Sequence, residues 1–376
     1  MSTKRRRSVA AAALAGALVA SNPASAQELV YGSWLPAGEY LNRVALPKVF
    51  EAMAKETNGA VKWKLVPGGQ LADPKTTFQA VQDGLMAGGI GISSYVPSLV
   101  PSLNTIYSTV VFGDDNVATS AAALETLTLN CPSCIAEFKK INSVPLAGWV
   151  AGPYRLTCRE PLKALADLKG KRVRATGGST ELMTIAGAVP VSATLVEAVG
   201  LLQRGGLDCQ FGTHGWLRVF GYGDVVKNIT DYPLGMTGPA VGLMLNRDTW
   251  NKMSPEHKKL HLKYASHLSA SLSLGQFVIE EEAVLNDLQK TKGLVVHQAN
   301  AREFDSLVDK YETVQRERNI ANAQKFAVSD AAAIIDAYAR ARKKWAGLSK
   351  GIGRDIDKFA AAIQREIYDK VDPGKL

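Results

Sequence analysis

Once its first thirty residues are passed, this chain of 376 residues has no run of eighteen uncharged apolar residues, so its body offers no helix able to span a bilayer. Aromatic residues are sparse at 7% and charged residues stand at 21%, against 46% apolar. That balance excludes a disordered or fibrous chain. It also supplies more than one core, since a domain takes about 100–200 residues. Familiar catalytic signatures are missing too: no Gly-x-Ser-x-Gly, no His-Glu-x-x-His, no phosphate loop ending in Gly-Lys-Ser/Thr, and no Gly-x-Gly-x-x-Gly opening a helix. No cofactor and no metal are expected.

What is present begins with a leader. Lys4, Arg5, Arg6 and Arg7 precede an apolar run from Val9 to Ala20 and then Ala24-Ser25-Ala26. A cationic start, a short apolar core and a small-residue cleavage site mark residues 1–26 as a signal peptide, and a periplasmic location is expected. With no acid beside them, those four cations account for four of the nine net positive charges. The rest of the chain is mildly basic without a dense cationic cluster, which argues against a nucleic-acid partner.

Export governs the reading of the four cysteines, because thiols outside the cytosol tend to pair. Of three connectivities, Cys131 with Cys134 and Cys158 with Cys209 is the one expected. Cys131-Pro132-Ser133-Cys134 opens a helix marked by Ile135, Phe138 and Ile141, where the helix dipole lowers a thiol pKa. A redox site is one reading. A local staple is the better one, because no thioredoxin-like βαβ unit surrounds the motif.

Strand-like and helix-like segments alternate along the chain. Strands are expected at 28–31, 61–66 and 90–93, with a helix over Leu41, Val44, Val49 and Met53 that Pro47 kinks or delays, and another from 75 to 82. A second unit starts near Trp149, with strands at 155–158, 171–174, 189–191 and 207–210 and helices after Gly177-Gly178 and from 195 to 203. The segment 241–246 re-enters the first sheet. A long helix runs from Leu260 to about Gln289, bent near Gly275, and helical stripes follow at 304–314 and 356–367. This is α/β organisation in two lobes about a cleft. Lobe I takes 27–151 with about 239–270, lobe II takes 152–238 with about 271–345, and 346–376 form a helical extension.

His257 and His261 stand at i, i+4, the spacing of a metal pair. They lie among Lys258, Lys259 and Lys263, so a solvated helix face is the reading preferred. Gly68-Gly69-Gln70-Leu71 is by itself no more than a tight turn.

Four strings taken in order mean more. Lys55-Glu56-Thr57-Asn58-Gly59-Ala60-Val61 with Pro67-Gly68-Gly69-Gln70-Leu71 resembles the first-lobe signature of TRAP-transporter solute-binding proteins, the DctP-like family. Asp167-Leu168-Lys169-Gly170 leading to Arg174 resembles a family strand. Glu197 followed by Leu202-Gln203-Arg204-Gly205-Gly206-Leu207-Asp208 resembles the next helix and strand, and Asn246-Arg247-Asp248-Thr249-Trp250 resembles the approach to the family's long helix. The match runs from about residue 28 to 315.

The resemblance implies a two-lobe fold of the periplasmic-binding-protein type II kind, with a long helix spanning both lobes and a helical C-terminus. It implies a receptor, not an enzyme, that captures a small organic acid and delivers it to TRAP membrane permease subunits, as monomer or homodimer. An ABC-type binding protein and a sensory receptor are the alternatives, and a secreted thiol oxidoreductase using Cys131 and Cys134 is a weaker one. In the family an arginine forks onto the ligand carboxylate, a role that carries over to Arg174, and a second arginine matches Arg155. A guanidinium suits that task without the family, since its planar fork fits a carboxylate and never loses its charge. Arg172, two residues earlier, is expected to point away from the ligand.

This chain departs from the family where Gly212 stands in place of a ligand-contacting asparagine, and where Ala175-Thr176-Gly177-Gly178 follows Arg174. A four-carbon dicarboxylate is therefore not assumed. Trp34, Tyr40, Tyr95, Trp149, Tyr154 and Trp216 fall on expected cleft loops and hint at a ligand with an apolar or cationic portion. The expected ligand-binding set is Arg174, Arg155, Trp34, Tyr95, Gln210, Trp216 and His214.

Overall fold

The computed structural model describes residues 28–376, so the leader expected at 1–26 lies outside the described residues. Eleven strands follow in order: β1 (Glu28–Gly32), β2 (Lys62–Val66), β3 (Gly88–Gly91), β4 (Ser143–Ala151), β5 (Arg155–Cys158), β6 (Arg172–Arg174), β7 (Val189–Val191), β8 (Cys209–Gly212), β9 (Asn228–Asp231), β10 (Thr237–Asn246) and β11 (Val295–Gln298). They form two sheets. The first has the order β2-β1-β3-β10-β4 and the second β11-β9-β5-β8-β6-β7.

In the first sheet β1 pairs in parallel with β2 and β3, as crossover helices require, while β10 and β4 join antiparallel. Every residue of β4 and of β10 is buried, because helices cover both faces of these two strands. In the second sheet β6 is parallel to β7 and β8, and β5 is antiparallel to β8.

Three segments cross between the sheets. β4 runs on into β5, and β9 returns into β10. The two crossings are tied together by Tyr154 N–H donating to Gly235 O at 2.7 Å and Leu234 N–H donating to Tyr154 O at 2.8 Å. The third crossing is a helix in three parts, Pro255–Ala270, a wide-turn π segment Ser271–Glu280, and Glu281–Lys292. Ser254 caps its start by accepting from His257 N–H, with Pro255 in the first turn, and Gly293 ends it in a left-handed conformation. Gly275 falls within the wide turn. Such turns often mark functional positions.

Two expectations need correction. The helix Ala331–Ser349 packs on Asn116–Leu129, beside the first sheet, although its residues up to 345 were expected in lobe II and the rest in an extension. Its apolar stripe of Ile334, Ile335, Tyr338 and Trp345 seals that face. His261 is fully buried and not on a solvated face. Its Nδ1–H donates to His257 O at 2.7 Å, its Nε2 accepts from Trp63 Nε1 at 3.2 Å, and Trp250 lies edge-on to its ring. Burial lowers its pKa to about 4, so it stays neutral.

Disulfides join Cys131 to Cys134 and Cys158 to Cys209. The second links directly opposed residues of β5 and β8 and closes a loop spanning 51 positions. The sulfurs of the first are buried at the start of the helix Pro132–Lys140, which leaves them inaccessible to a thiol partner.

Candidate ligand-binding site

Where the lobes meet lies a cavity of about 30 Å³. Trp34, Leu35, Glu39, Ile90, Ile92, Tyr95 and Tyr107 approach from the first lobe, and Arg174, Leu195 and Trp216 from the second. The crossing strands contribute Trp149, Ala151, Tyr154, Thr237 and Ala240, and the spanning helix contributes Phe277. The walls are mostly apolar and aromatic, with charge at only two points.

The first of these is Arg174. Arg172, two residues earlier, shares its face of β6 and is not turned away as expected, but it sits at the exposed start of the strand and pairs with Asp208 at 2.7 Å. Arg174 is only 3% exposed, and among the described residues it joins no ion pair. Its Nε–H donates to Ala193 O at 2.9 Å and its Nη2 to the Tyr95 hydroxyl at 3.2 Å, while the Trp216 ring centre lies 5.9 Å from Cζ. Nη1 makes no hydrogen bond among the described residues. Tyr95 also accepts from Leu195 N–H at 3.3 Å, so both its lone pairs are used and its own proton is free to donate. Burial pushes Tyr95 up to about 12, which keeps that proton in place. The corner thus presents cationic and neutral donors and no acid, a surface complementary to an anion.

Behind it lies β8. Gln210 is directly opposite Arg174 in register, 1% exposed, with neither amide atom hydrogen-bonded. A Cβ at Gly212 would sit 2.4 Å from Gln210 Nε2 and 2.3 Å from the Trp216 ring. Only glycine lets Trp216 lie there. The Trp216 helix, His214–Val219, is held at its start by Glu281 of the spanning helix, whose carboxylate accepts from His214 N–H at 2.8 Å and Gly215 N–H at 2.7 Å. Burial raises Glu281 to about 7 against the pull of those bonds.

Of the expected residues, Arg174, Trp34, Tyr95 and Trp216 line the cavity, together with Trp149 and Tyr154. Trp34 is anchored by its Nε1–H on Ile90 O at 3.1 Å. Arg155, Gln210 and His214 are not among the lining residues. Arg155 pairs in register with Gly212, but Trp216 fills the space over that glycine, and Arg155 Nε lies 3.7 Å from Asp231 Oδ1. His214, the first residue of the Trp216 helix, is 6% exposed, its pKa is lowered to about 4 by burial and then by Arg155, and its Nδ1 lies 3.5 Å from Glu281 Oε2. Tyr40 contacts Ser271 at 3.3 Å instead of the cavity.

The sequence reading missed Tyr107, Phe277 and Glu39 as wall residues. Tyr107 and Phe277 belong to helices whose inner faces are indistinguishable from ordinary core, and only the lobe geometry gives them a cavity. A larger hollow of about 440 Å³ lies beyond Gly177, but its Glu181 and Arg318 satisfy each other as an ion pair. Among the described residues no cluster of three or more potential ligands could hold a metal.

The model of bacterial extracellular solute-binding protein family 7, DctP, matches residues 36–322. The chain belongs to this family. Its members are solute-binding receptors and not enzymes, and no helix among the described residues is long and apolar enough to cross a membrane. An uncharacterized protein of Salmonella typhimurium, YiiZ, is 22% identical over 69% of this chain and 77% of its own length. A TRAP periplasmic solute-binding protein of Bordetella bronchiseptica with bound (R)- and (S)-mandelate has a similar fold, at TM-score 0.70, 23% identity, 84% of this chain and 99% of that one. So has a marine metagenome TRAP solute-binding protein specific for aromatic acid ligands, in complex with metahydroxyphenylacetate, at TM-score 0.74, 19% identity, 85% of this chain and 99% of that one.

Proposed function

We propose that this family 7 receptor captures a small organic acid between its lobes, with the carboxylate on Arg174 and Tyr95, and hands it to the membrane permease subunits of a TRAP transporter. The observation that carries this is a buried guanidinium with no acid beside it, aimed into an aromatic cavity at the lobe boundary. Burying an unpaired cation is costly, and an incoming carboxylate offsets that cost. The leader at 1–26 supports a periplasmic location. Arg155 and Gln210, next to Arg174 on the same sheet face, come within reach of a ligand that displaces Trp216.

The walls of Trp34, Trp149, Tyr154, Trp216 and Phe277 favour an acid with a flat apolar portion. The similar folds that hold mandelate and metahydroxyphenylacetate agree with that preference. An aromatic acid does not fit into about 30 Å³, which holds one or two waters, so capture requires the lobes to part and close again. The two crossing strands and the wide turn Ser271–Glu280 are where that motion is absorbed. Closure is favoured only as far as the closed form binds more tightly.

Calorimetric titration with mandelate, 3-hydroxyphenylacetate and succinate tests the reading. The aromatic acids should bind more tightly than succinate. Arg174→Ala should weaken the best of them by about 30-fold or more, as loss of a buried charge partner does. An unchanged isotherm for that variant removes Arg174 from the site.

A further inference from the structure

The two charged points of the cavity wall come one from each lobe. Arg174 has been given a carboxylate, but Glu39, in the segment after β1, has been given nothing. We propose that Glu39, with Gln276 behind it, is a second pole of the site that selects ligands carrying a hydrogen-bond donor, a hydroxyl or ammonium group, on the end remote from the carboxylate. This rests on the receptor reading and deepens it.

Glu39 is 3% exposed, and one of its oxygens accepts from Leu41 N–H at 2.6 Å. The other accepts from the Gln276 amide nitrogen. That contact orients the Gln276 amide, because an ionised carboxylate can only accept. Gln276 Oε1 is left buried with no hydrogen-bond partner, in a side chain 7% exposed. With Glu39 ionised, the pole therefore offers acceptors only: the spare lone pairs of the carboxylate at the cavity wall and, behind it, an orphaned amide oxygen. Its natural complement is a group with hydrogens to give.

No cation neutralises Glu39 among the described residues. Arg43 is the nearby positive charge, and it is engaged at the surface by Glu280 at 2.8 Å, itself a second negative charge near Glu39. Burial pushes the Glu39 carboxyl up to about 7, which is how a carboxylate short of partners behaves. A turn that needed only its Leu41 N–H capped would be served by an exposed Asp or Asn. Here the acid is enclosed, and the wide turn of the spanning helix carries both Gln276 and Phe277 to it. Arg174 and Glu39 form no ion pair with each other, so the two poles are free to take opposite ends of one molecule.

The test uses the full mature chain at about pH 8, where Glu39 is ionised, and matched acids. Phenylacetate is compared with 3-hydroxyphenylacetate, and 3-methylbenzoate with 3-(aminomethyl)benzoate. The hydroxyl or the ammonium form should bind wild type about 10-fold or more tighter than its parent, since sites built around a polar group reject analogues lacking it. Which pair shows the ratio decides between hydroxyl and ammonium. In Glu39→Gln the ratio should fall below about 3-fold while the parent acid keeps its affinity. Gln276→Leu is the second variant should Glu39→Gln fail to fold, and it should lower the ratio in the same direction.

A ratio unchanged in both variants overturns the proposal, as do parents that bind wild type as well as their substituted forms. Best ligands without a second donor in a broad thermal-shift screen of carboxylates also overturn it, and leave the Arg174 reading standing. Failure of the receptor reading is separate: no carboxylate would bind, or Arg174→Ala would bind as wild type does.

Discussion

Charge is handled in opposite ways at the rim of the cleft and inside it. At the rim, Arg172 meets Asp208 at 2.7 Å, Lys75 of the first lobe meets Glu197 of the second at 2.5 Å, and Arg43 and Arg218 share Glu280. These pairs are solvated, and such pairs contribute about 0–1 kcal/mol each. Inside, Arg174 and Glu39 are almost wholly buried, and neither has an opposite charge beside it. Exposed charges that find each other are structural dressing. The two buried charges on the cavity wall are the ones we propose a ligand engages.

The strongest way to break this contrast lies within one strand. Arg174→Ala should cost about 30-fold or more in carboxylate affinity, while Arg172→Ala, two residues away, should cost less than about 3-fold. Equal losses in the two titrations would erase the distinction. Arg155→Ala should fall between them, because its side chain is 25% exposed and lies 3.7 Å from Asp231.

The next effect concerns how closely the lobes approach. A Cβ at Gly178 would lie 2.0 Å from the Ser108 carbonyl oxygen across the lobe boundary. Gly178→Ala should hold the lobes apart and lower affinity about 10-fold, since the tight-binding closed form becomes less populated. Its unliganded melting temperature should change little, and a scattering profile on ligand addition should contract less than that of wild type.

The buried acids give a smaller, pH-dependent effect. Glu39 and Glu281 are raised from 4.5 to about 7, chiefly by burial, so the folded protein holds protons that unfolded glutamates release. The stability tied to these groups is therefore fully present below about pH 4.5 and is lost as pH rises to about 7. Glu39→Gln should flatten that part of the profile by on the order of 3 kcal/mol in denaturant titrations. An identical slope in the variant would mean that Glu39 is already ionised at low pH. Smallest of all is Lys75→Ala at the rim, expected to shift affinity less than about 3-fold and to lose even that in high salt.

How much of this was legible in the sequence follows from how local each signal is. β5, β7 and the helix Leu195–Gln203 have the bounds that their own apolar patterns and turn residues dictate. β9 and β11 were not recognised. β11 is half exposed at the sheet edge, and neither strand carries strong alternation. Arg174 was legible through the family strand that it matches and not through alternation, which puts both arginines of Arg-Val-Arg on one face; burial at the inner end of β6 is what sets it apart from Arg172. His261 was misread because flanking lysines suggested water, whereas Ala265 and Leu268, at i+4 and i+7, mark it as part of the buried stripe. Glu39 had no local signal: its meaning comes from Gln276, 237 positions along the chain.

The most direct test of the central claim is a crystal structure of the protein with its best-binding acid. The ligand carboxylate should lie between the lobes, about 2.7–2.9 Å from the Arg174 guanidinium, as charged hydrogen bonds require. A carboxylate seated away from Arg174, with that guanidinium still facing only Ala193, Tyr95 and Trp216, would contradict the account.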